Sequence, residues 1–373
     1  MNRKSRAIMD DGDTHRMHPG GRRGRGAVSN QSGRYEGHAR EWCDDGWGSL
    51  DQAPPSLATS LTKDTSRKVI SFNESPDLGF DRSVNPYRGC EHGCIYCFAR
   101  PTHAWLGLSP GLDFESKLSF KPDAPAVLER ELRRASYKCR VVALGTNTDP
   151  YQPVERRLSV TRELLRVLDR FNHPVSIVTK SNLVCRDIDI LGAMAARGLV
   201  KVSLSVTTLD RKLARIMEPR AATPERRLGA IAALAKANIP TVVMVAPVIP
   251  ALTDMEMEAI LGRAAASGAL GAACILLRLP LEIKALWREW LGEHYPDRAE
   301  RIMRHVREAR GGKDYDGKFH QRMVGAGPYA DLIAQRFALA CNRLRLRRGR
   351  EERKLDCSQF CPPLERDGQL SLL

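Results

Sequence analysis

Three cysteines fall within eight positions, at Cys90, Cys94 and Cys97 of "NPYRGCEHGCIYCFARP" (85–101). A disulfide would join only two of them, and a structural zinc ion takes four protein ligands. Iron–sulfur clusters are ordinarily held by four cysteine thiolates. A loop with thiols at i, i+4 and i+7 can grip three irons of a cube and leave the last one short of a protein ligand. Such an iron stays open to a small molecule, as catalytic metal sites keep a vacant position.

The elements that must position this loop are legible downstream. From residue 69, short β-branched runs alternate with amphipathic stretches. "RVVALGT" (140–146), "PVSIVTK" (174–180), "VKVSLSVTT" (200–208), "PTVVMVAPV" (240–248) and "ACILLRLP" (273–280) read as buried strands. Between them lie helix patterns, with start signals at Asp123, Thr223 before Pro224 and Thr253, and stop signals at Gly198 and Gly268. Strand–helix alternation implies a parallel sheet with right-handed crossovers. With a strand just before the cysteines, about six units result. The expected fold is α/β, an open (β/α)6 barrel of TIM type or a doubly wound sheet. In either, ligands gather at the carboxyl ends of the strands. That directs attention to Thr146 to Asp149, Lys180 and Ser181, Ser205 to Thr208, and Pro247 to Pro250.

The expected organisation has four parts. Residues 1–60, rich in Gly, Ser, Arg and Asp, form a disordered basic arm, with "GGRRGRG" (20–26) either solvated or laid along a phosphate backbone. Trp42 and Trp47 argue for a short ordered piece within it. Residues 69–280 form the core, 281–347 a helical extension, and 348–373 a flexible tail that includes part of the basic run "RLRLRRGREERK" (343–354). The formal net charge of +15 over 373 residues favours a polyanionic partner such as DNA. No apolar run reaches membrane-span length, and the N-terminus lacks the apolar core of a secretory signal. A cytoplasmic protein with reduced thiols is expected.

"GCEHGCIYCF" resembles the CxxxCxxC signature of the radical S-adenosylmethionine (SAM) superfamily, with Tyr96 and Phe98 as the flanking aromatics. Segments such as "LGTNTDPYQPVE", "TKSNLVCRDIDIL" and "SVTTLDRKLARIMEPRAATPERRL" are similar to its spore-photoproduct-lyase-like branch. The resemblance implies a [4Fe-4S] cluster on Cys90, Cys94 and Cys97, with SAM chelating the open iron. It further implies reductive cleavage of SAM to a 5′-deoxyadenosyl radical that abstracts hydrogen from a substrate. Carried over by motif, Thr148 and Asp149 would meet the methionyl amine, Lys180 the carboxylate and Ser205 the ribose; Glu218 and Arg220 of "MEPRA" are further SAM-pocket candidates. A reductant such as flavodoxin or ferredoxin is the implied electron donor.

One departure concerns the substrate. Where that branch carries a hydrogen-donating cysteine, this chain has Thr146, and Cys139 lies at the other end of the strand. The readings left open are a lyase-like radical enzyme acting on DNA or a damaged base, a radical enzyme acting on a protein or small molecule, and a non-catalytic iron–sulfur protein associated with DNA. Cys185, Cys274 and Cys341 read as core residues. Cys357 and Cys361 are spaced like two ligands but have no further pair, and read as incidental. The terminal Gln369, Leu370, Ser371, Leu372 and Leu373 resemble the peptide with which bacterial DNA-maintenance proteins dock on the replication sliding clamp, with Leu for the usual final Phe.

Overall fold

A computed structural model describes residues 24–36, 57–349 and 354–364. The strands are β1 (Ser60–Lys63), β2 (Ile70–Phe72), β3 (Arg82–Val84), β4 (Tyr87–Arg88), β5 (Lys117–Phe120), β6 (Val142–Leu144), β7 (Val175–Thr179), β8 (Val200–Ser205), β9 (Thr241–Val248), β10 (Gly271–Leu276) and β11 (Arg347–Arg348). The helices are α1 (Leu112–Ser116), α2 (Ala124–Leu132), α3 (Glu155–Leu158), α4 (Val160–Arg170), α5 (Ile188–Ala196), α6 (Arg211–Met217), α7 (Pro224–Lys236), α8 (Met257–Ala266), α9 (Ile283–His294), α10 (Ala299–Glu308) and α11 (Pro328–Leu344).

The main sheet runs β11-β10-β9-β8-β7-β6-β3-β2, with the six strands β3 and β6 to β10 parallel, the two-residue β11 added parallel to β10 at one edge and β2 antiparallel at the other. This is the expected six-unit α/β architecture, an open partial barrel whose edge strands do not pair with each other among the described residues. The central strands are mostly apolar and largely buried because helices cover one face and the barrel interior the other; Val200, Val202 and Leu204 of β8 are completely buried. On α4, Leu164, Leu165 and Leu168 face the sheet while Arg166 and Arg170 face solvent. Each such leucine contributes about 1.5–3 kcal/mol by leaving water. A segment after α10 spans the gap between the barrel edges: the Met323 carbonyl accepts the Leu276 N–H at 2.9 Å, and Arg322 Nε donates to Asp77, in the β2–β3 loop, at 2.5 Å.

The expected boundaries hold at several caps and shift at others. Thr223 accepts the Arg226 N–H at 3.4 Å, and Gly198 and Gly268 end α5 and α8 with φ of +71° and +93°. Asp123 precedes α2 without a side-chain cap. Thr253 instead accepts the Ile249 N–H at 3.0 Å, and α8 starts only at Met257 after a short 3-10 turn.

Two segments expected to be disordered or flexible are docked. Residues 24–36 lace onto α1 and α9: the Leu112 N–H reaches the Ser29 carbonyl at 3.2 Å, and Ser29 Oγ donates to Glu289 at 2.6 Å. Residues 60–63 become β1, parallel to β5. At the other end, Phe360 packs on Tyr137 and Phe171, and the Cys361 N–H donates to the Phe171 carbonyl at 3.1 Å. Composition misled here because these segments carry few apolar residues and are held by backbone hydrogen bonds instead. Cys357 stands beside Cys139, whose thiol is pushed up to about 12 by burial and by the neighbouring Cys357 sulfur. Trp42, Trp47 and the terminal peptide Gln369–Leu373 lie outside the described residues.

The extension supplies α9, α10 and α11, with irregular chain between the last two. Trp287 and Trp290 of α9 are fully buried and stacked at 5.0 Å, in a core that includes Cys94, Ile95, Tyr96, Leu213 and Met217. Trp290 Nε1 donates to the Ile216 carbonyl of α6 at 3.2 Å, and the shared apolar core places the extension behind the cysteine loop. Trp290→Ala is expected to cost roughly 3–5 kcal/mol in denaturant unfolding.

Candidate functional site

The cysteine loop leaves β4 and ends in a 3-10 turn from Arg100 to Leu106. Cys90 and Cys94 are buried and Cys97 half-buried, all unpaired. The Cys90 N–H donates to the Phe114 carbonyl at 2.9 Å, and the Cys97 N–H to the Cys94 carbonyl at 3.2 Å. Arg100 fixes the loop's shape. Its guanidinium, with no exposure, donates to the carbonyls of Cys94 (2.9 Å), Gly93 (3.0 Å), Pro110 (3.0 Å) and Gly111 (2.9 Å), and pairs with Glu115 at 2.5 Å. Arginine alone offers this many donors in one rigid plane. Glu115 also accepts the N–H groups of Gly26 (2.9 Å) and Ala27 (2.8 Å). The packing is so close that a Cβ on Gly26 would lie 1.9 Å from the Gly93 oxygen, while Gly93 itself has φ +66°.

Among the described residues, no three His, Cys, Asp or Glu side chains gather closely enough to hold one metal ion. Zinc would need its ligands at about 2.0–2.3 Å from one centre. Thiols spread along one loop suit a polynuclear cluster, in which each thiolate holds its own iron. Burial pushes the Cys90 and Cys94 thiols well above their ordinary range; the carboxylates of Asp149 and Glu218 respectively add to this. A bound metal is what would make them thiolates.

The strand ends bring Lys180, Ser205 and Glu218 together. Lys180 Nζ donates to Ser205 Oγ at 2.8 Å, lies 3.7 Å from Glu218 Oε1, and sits 5.6 Å from the centre of the Tyr96 ring. Burial pushes its ammonium down to about 8, against the pull of the Cys94 sulfur. Glu218 is held by Arg227, Tyr96 and Thr207, the last at 2.8 Å. Arg227 Nη1 also donates to the Ser205 carbonyl at 3.0 Å. Glu218 thus positions Tyr96 and balances Lys180.

Asp149 stands between this group and the cysteine loop. It accepts the Lys180 N–H (2.7 Å), Thr179 Oγ1 (2.7 Å) and the Tyr151 N–H (2.8 Å), with His92 Nδ1 at 3.3 Å. Burial would raise its carboxyl, but His92 and these donors outweigh that and hold it below the usual range. Thr148 donates to the Tyr87 carbonyl at 3.1 Å. Arg220 is not brought to Lys180: it pairs with Glu91 at 2.9 Å in a separate groove. Thr146 exchanges hydrogen bonds with Asn85, at the end of β3.

Sequence reading missed Arg100, Glu115, Arg227 and Arg278. The first three act on backbone carbonyls or on residues far along the chain, which leaves no local pattern. Arg278 follows β10, the last of the six parallel strands, and its position at a strand end was the available signal. Its guanidinium lies 4.9 Å from the centre of the Phe98 ring, beside Cys97, and its buried Nε has no partner.

Six parallel strands carrying a three-thiol loop and a pocket of paired charges at their carboxyl ends define an open-barrel α/β protein with its site at the strand ends. The family model described as Radical SAM superfamily matches residues 84–264. The uncharacterized protein Rv2578c of Mycobacterium tuberculosis (strain ATCC 25618 / H37Rv) is 41% identical over 236 residues, 62% of this chain and 69% of that protein. The uncharacterized protein MJ0683 of Methanocaldococcus jannaschii is 26% identical over 196 residues, covering 52% and 70%. Among solved structures, spore photoproduct lyase complexed with dinucleoside spore photoproduct gives a TM-score of 0.55 at 16% identity, over 76% of this chain and 79% of that one. That likeness is one of fold. The chain belongs to the radical SAM superfamily.

Arg100→Lys, which keeps the charge but loses the fork of donors, should leave several buried carbonyls unmatched. Iron and sulfide bound after anaerobic reconstitution are expected to fall to less than half of the parent value, with a thermal midpoint lowered by several degrees.

Proposed function

We propose that this protein holds a [4Fe-4S] cluster on Cys90, Cys94 and Cys97, binds SAM beside Lys180 and Ser205, and acts in a lyase-like manner on nucleic acid. Membership of the superfamily implies the cluster and SAM. When bound, the pair supplies reductive cleavage of the sulfonium to a 5′-deoxyadenosyl radical. The observation carrying this reading is the grouping of three unpaired thiols, two of them buried, with the Lys180 ammonium hydrogen-bonded to Ser205 at the next strand ends.

The chain's own residues do the binding and shielding. Lys180 offers a compact cation to a carboxylate, with Ser205 and the Ala246 carbonyl (3.4 Å) fixing its direction. The Asp149 contacts hold the β6 and β7 ends and the cysteine loop in one register. Burial of Tyr96, Ile95 and Leu213 keeps water from the loop, which strengthens each charge interaction there.

Nucleic acid as substrate is supported by the net charge of +15 and by Arg278, whose unpartnered Nε beside Phe98 suits a phosphate or another anionic group. The Thr146–Asn85 pair stands where a thiol donor would be expected, which argues against a cysteine-dependent route and leaves the hydrogen to return from another group.

Anaerobically reconstituted protein with dithionite and SAM should release 5′-deoxyadenosine, and Cys94→Ala should abolish both the release and the brown chromophore. Lys180→Ala should keep the iron content and raise KM for SAM roughly 10–100-fold, the worth of a hydrogen bond to a charged group. No 5′-deoxyadenosine from a fully loaded cluster would leave a structural iron–sulfur protein. Lesion-bearing DNA should raise the rate of 5′-deoxyadenosine release several-fold, and Arg278→Met should cancel that rise; equal stimulation by a protein extract freed of nucleic acid would shift the substrate class.

A further inference from the structure

The loops after β6, β7 and β8 leave a cavity of about 650 Å³ on the flank of the cysteine loop, lined by Arg25, Arg156, Arg211, Arg215, Arg220 and Arg226 and by no carboxylate. A second cavity of about 490 Å³ shares Arg25, Leu57, Pro153 and Arg220 with it and adds Arg157 and Glu91. The two therefore form one continuous groove. Glu91 is already committed to Arg220 at 2.9 Å and to Thr59 at 2.6 Å. Arg25 lies on the floor, donating to the carbonyls of Glu115 (2.5 Å) and Leu57 (2.6 Å).

The arginines at the rim differ from those elsewhere. Arg162, Arg186, Arg322 and Arg336 each pair with a carboxylate at 2.5–2.7 Å. Arg156, Arg157, Arg211, Arg215 and Arg226 are exposed and have no ion pair among the described residues. Arg211 and Arg215 stand one turn apart on α6, a repulsive arrangement for like charges on a helix. Arg226 is in the first turn of α7, a thirteen-residue helix whose N-terminal dipole adds to the positive field. Burial, and the nearby Arg220 charge, already lower the pKa of Arg25. Uncompensated cations facing one groove are stabilised when an anion enters it.

We infer that this groove is a track for the phosphodiester backbone of a nucleic-acid strand, which it holds alongside the radical site. The inference deepens the nucleic-acid reading above and rests on it. Guanidinium groups suit phosphate oxygens through paired donors. They are spread along an open, continuous groove and do not converge on one enclosed point, which fits a repeating polyanion better than a single small phosphate. His92, on the cysteine loop, and Ser181, next to Lys180, both line the groove, so a strand lying there would pass beside the cluster loop.

The test uses the reconstituted full chain and a fluorescein-labelled single-stranded DNA of about 15 nucleotides. Anisotropy is followed between about 50 and 200 mM salt. In the triple variant Arg211→Gln, Arg215→Gln and Arg226→Gln, affinity should fall at least roughly tenfold, and the slope of log affinity against log salt should become shallower by about 2, for three lost contacts at about 0.7 each. A control of equal charge, Arg301→Gln, Arg304→Gln and Lys313→Gln, should stay within about twofold of the parent. DNA-independent release of 5′-deoxyadenosine reports that the triple variant is folded and loaded. Equal losses in both variants, or no loss in the groove variant, overturn the groove while nucleic-acid binding stands. A parent that binds no DNA overturns the nucleic-acid reading itself, and inorganic phosphate at millimolar concentration displacing DNA completely would mark a small-anion site instead.

Discussion

The buried ion pair between Arg100 and Glu115 is the contact on which the site depends. A guanidinium with no exposure is costly to desolvate, and the structure offsets that cost with carbonyls from the middle of the cysteine loop and from the turn before α1. The same carboxylate draws in the amides of Gly26 and Ala27. One pair of side chains therefore couples the loop, α1 and the N-terminal segment. Much of the loop's backbone is held by protein: the N–H groups of Cys90, Glu91, Gly93, Ile95 and Cys97 and the carbonyls of Gly93 and Cys94 all have partners.

A second layer of organisation is electrostatic. Asp149, Lys180, Glu218 and Arg227 alternate in sign across the strand ends, so that each charge is balanced by a fixed neighbour. Such a set is expensive to bury, and each member is stabilised by the fixed partners around it. Glu218 and Arg227 pair with each other and are further committed to Tyr96 and Thr207 on one side and to the Ser205 and Ala222 carbonyls on the other. Lys180, sharing its protons with a hydroxyl and a carbonyl, is the member with capacity to spare.

The packing beneath explains why the extension is needed. An open barrel leaves its cysteine loop exposed on one side, and α9 supplies the missing wall with two stacked tryptophans. The segment carrying Arg322 and Met323 bridges the barrel edges, where a closed barrel would have paired its first and last strands. The docked segments around Gly26 and Phe360 do comparable work with few apolar residues, which is why their composition resembled that of disordered chain.

How much was legible follows from the range of each interaction. The three cysteines, the six-unit alternation and the strand-end positions of Lys180 and Ser205 are written in local spacing, because ligand geometry and the strand and helix periods act over a few residues. The roles of Thr148 and Arg220 were not, since whether a side chain turns toward the pocket depends on partners such as Tyr87 and Glu91 contributed by other loops. Arg100 is visible as a letter but its five acceptors are not, and the unpaired arginines of the groove come from segments after two separate strands, β6 and β8. Sequence alone determined that a three-cysteine loop sits on a parallel α/β core of the radical SAM superfamily. Only the tertiary structure decided which charges were neutralised and which were left facing a groove, because pairing requires proximity that no local pattern encodes.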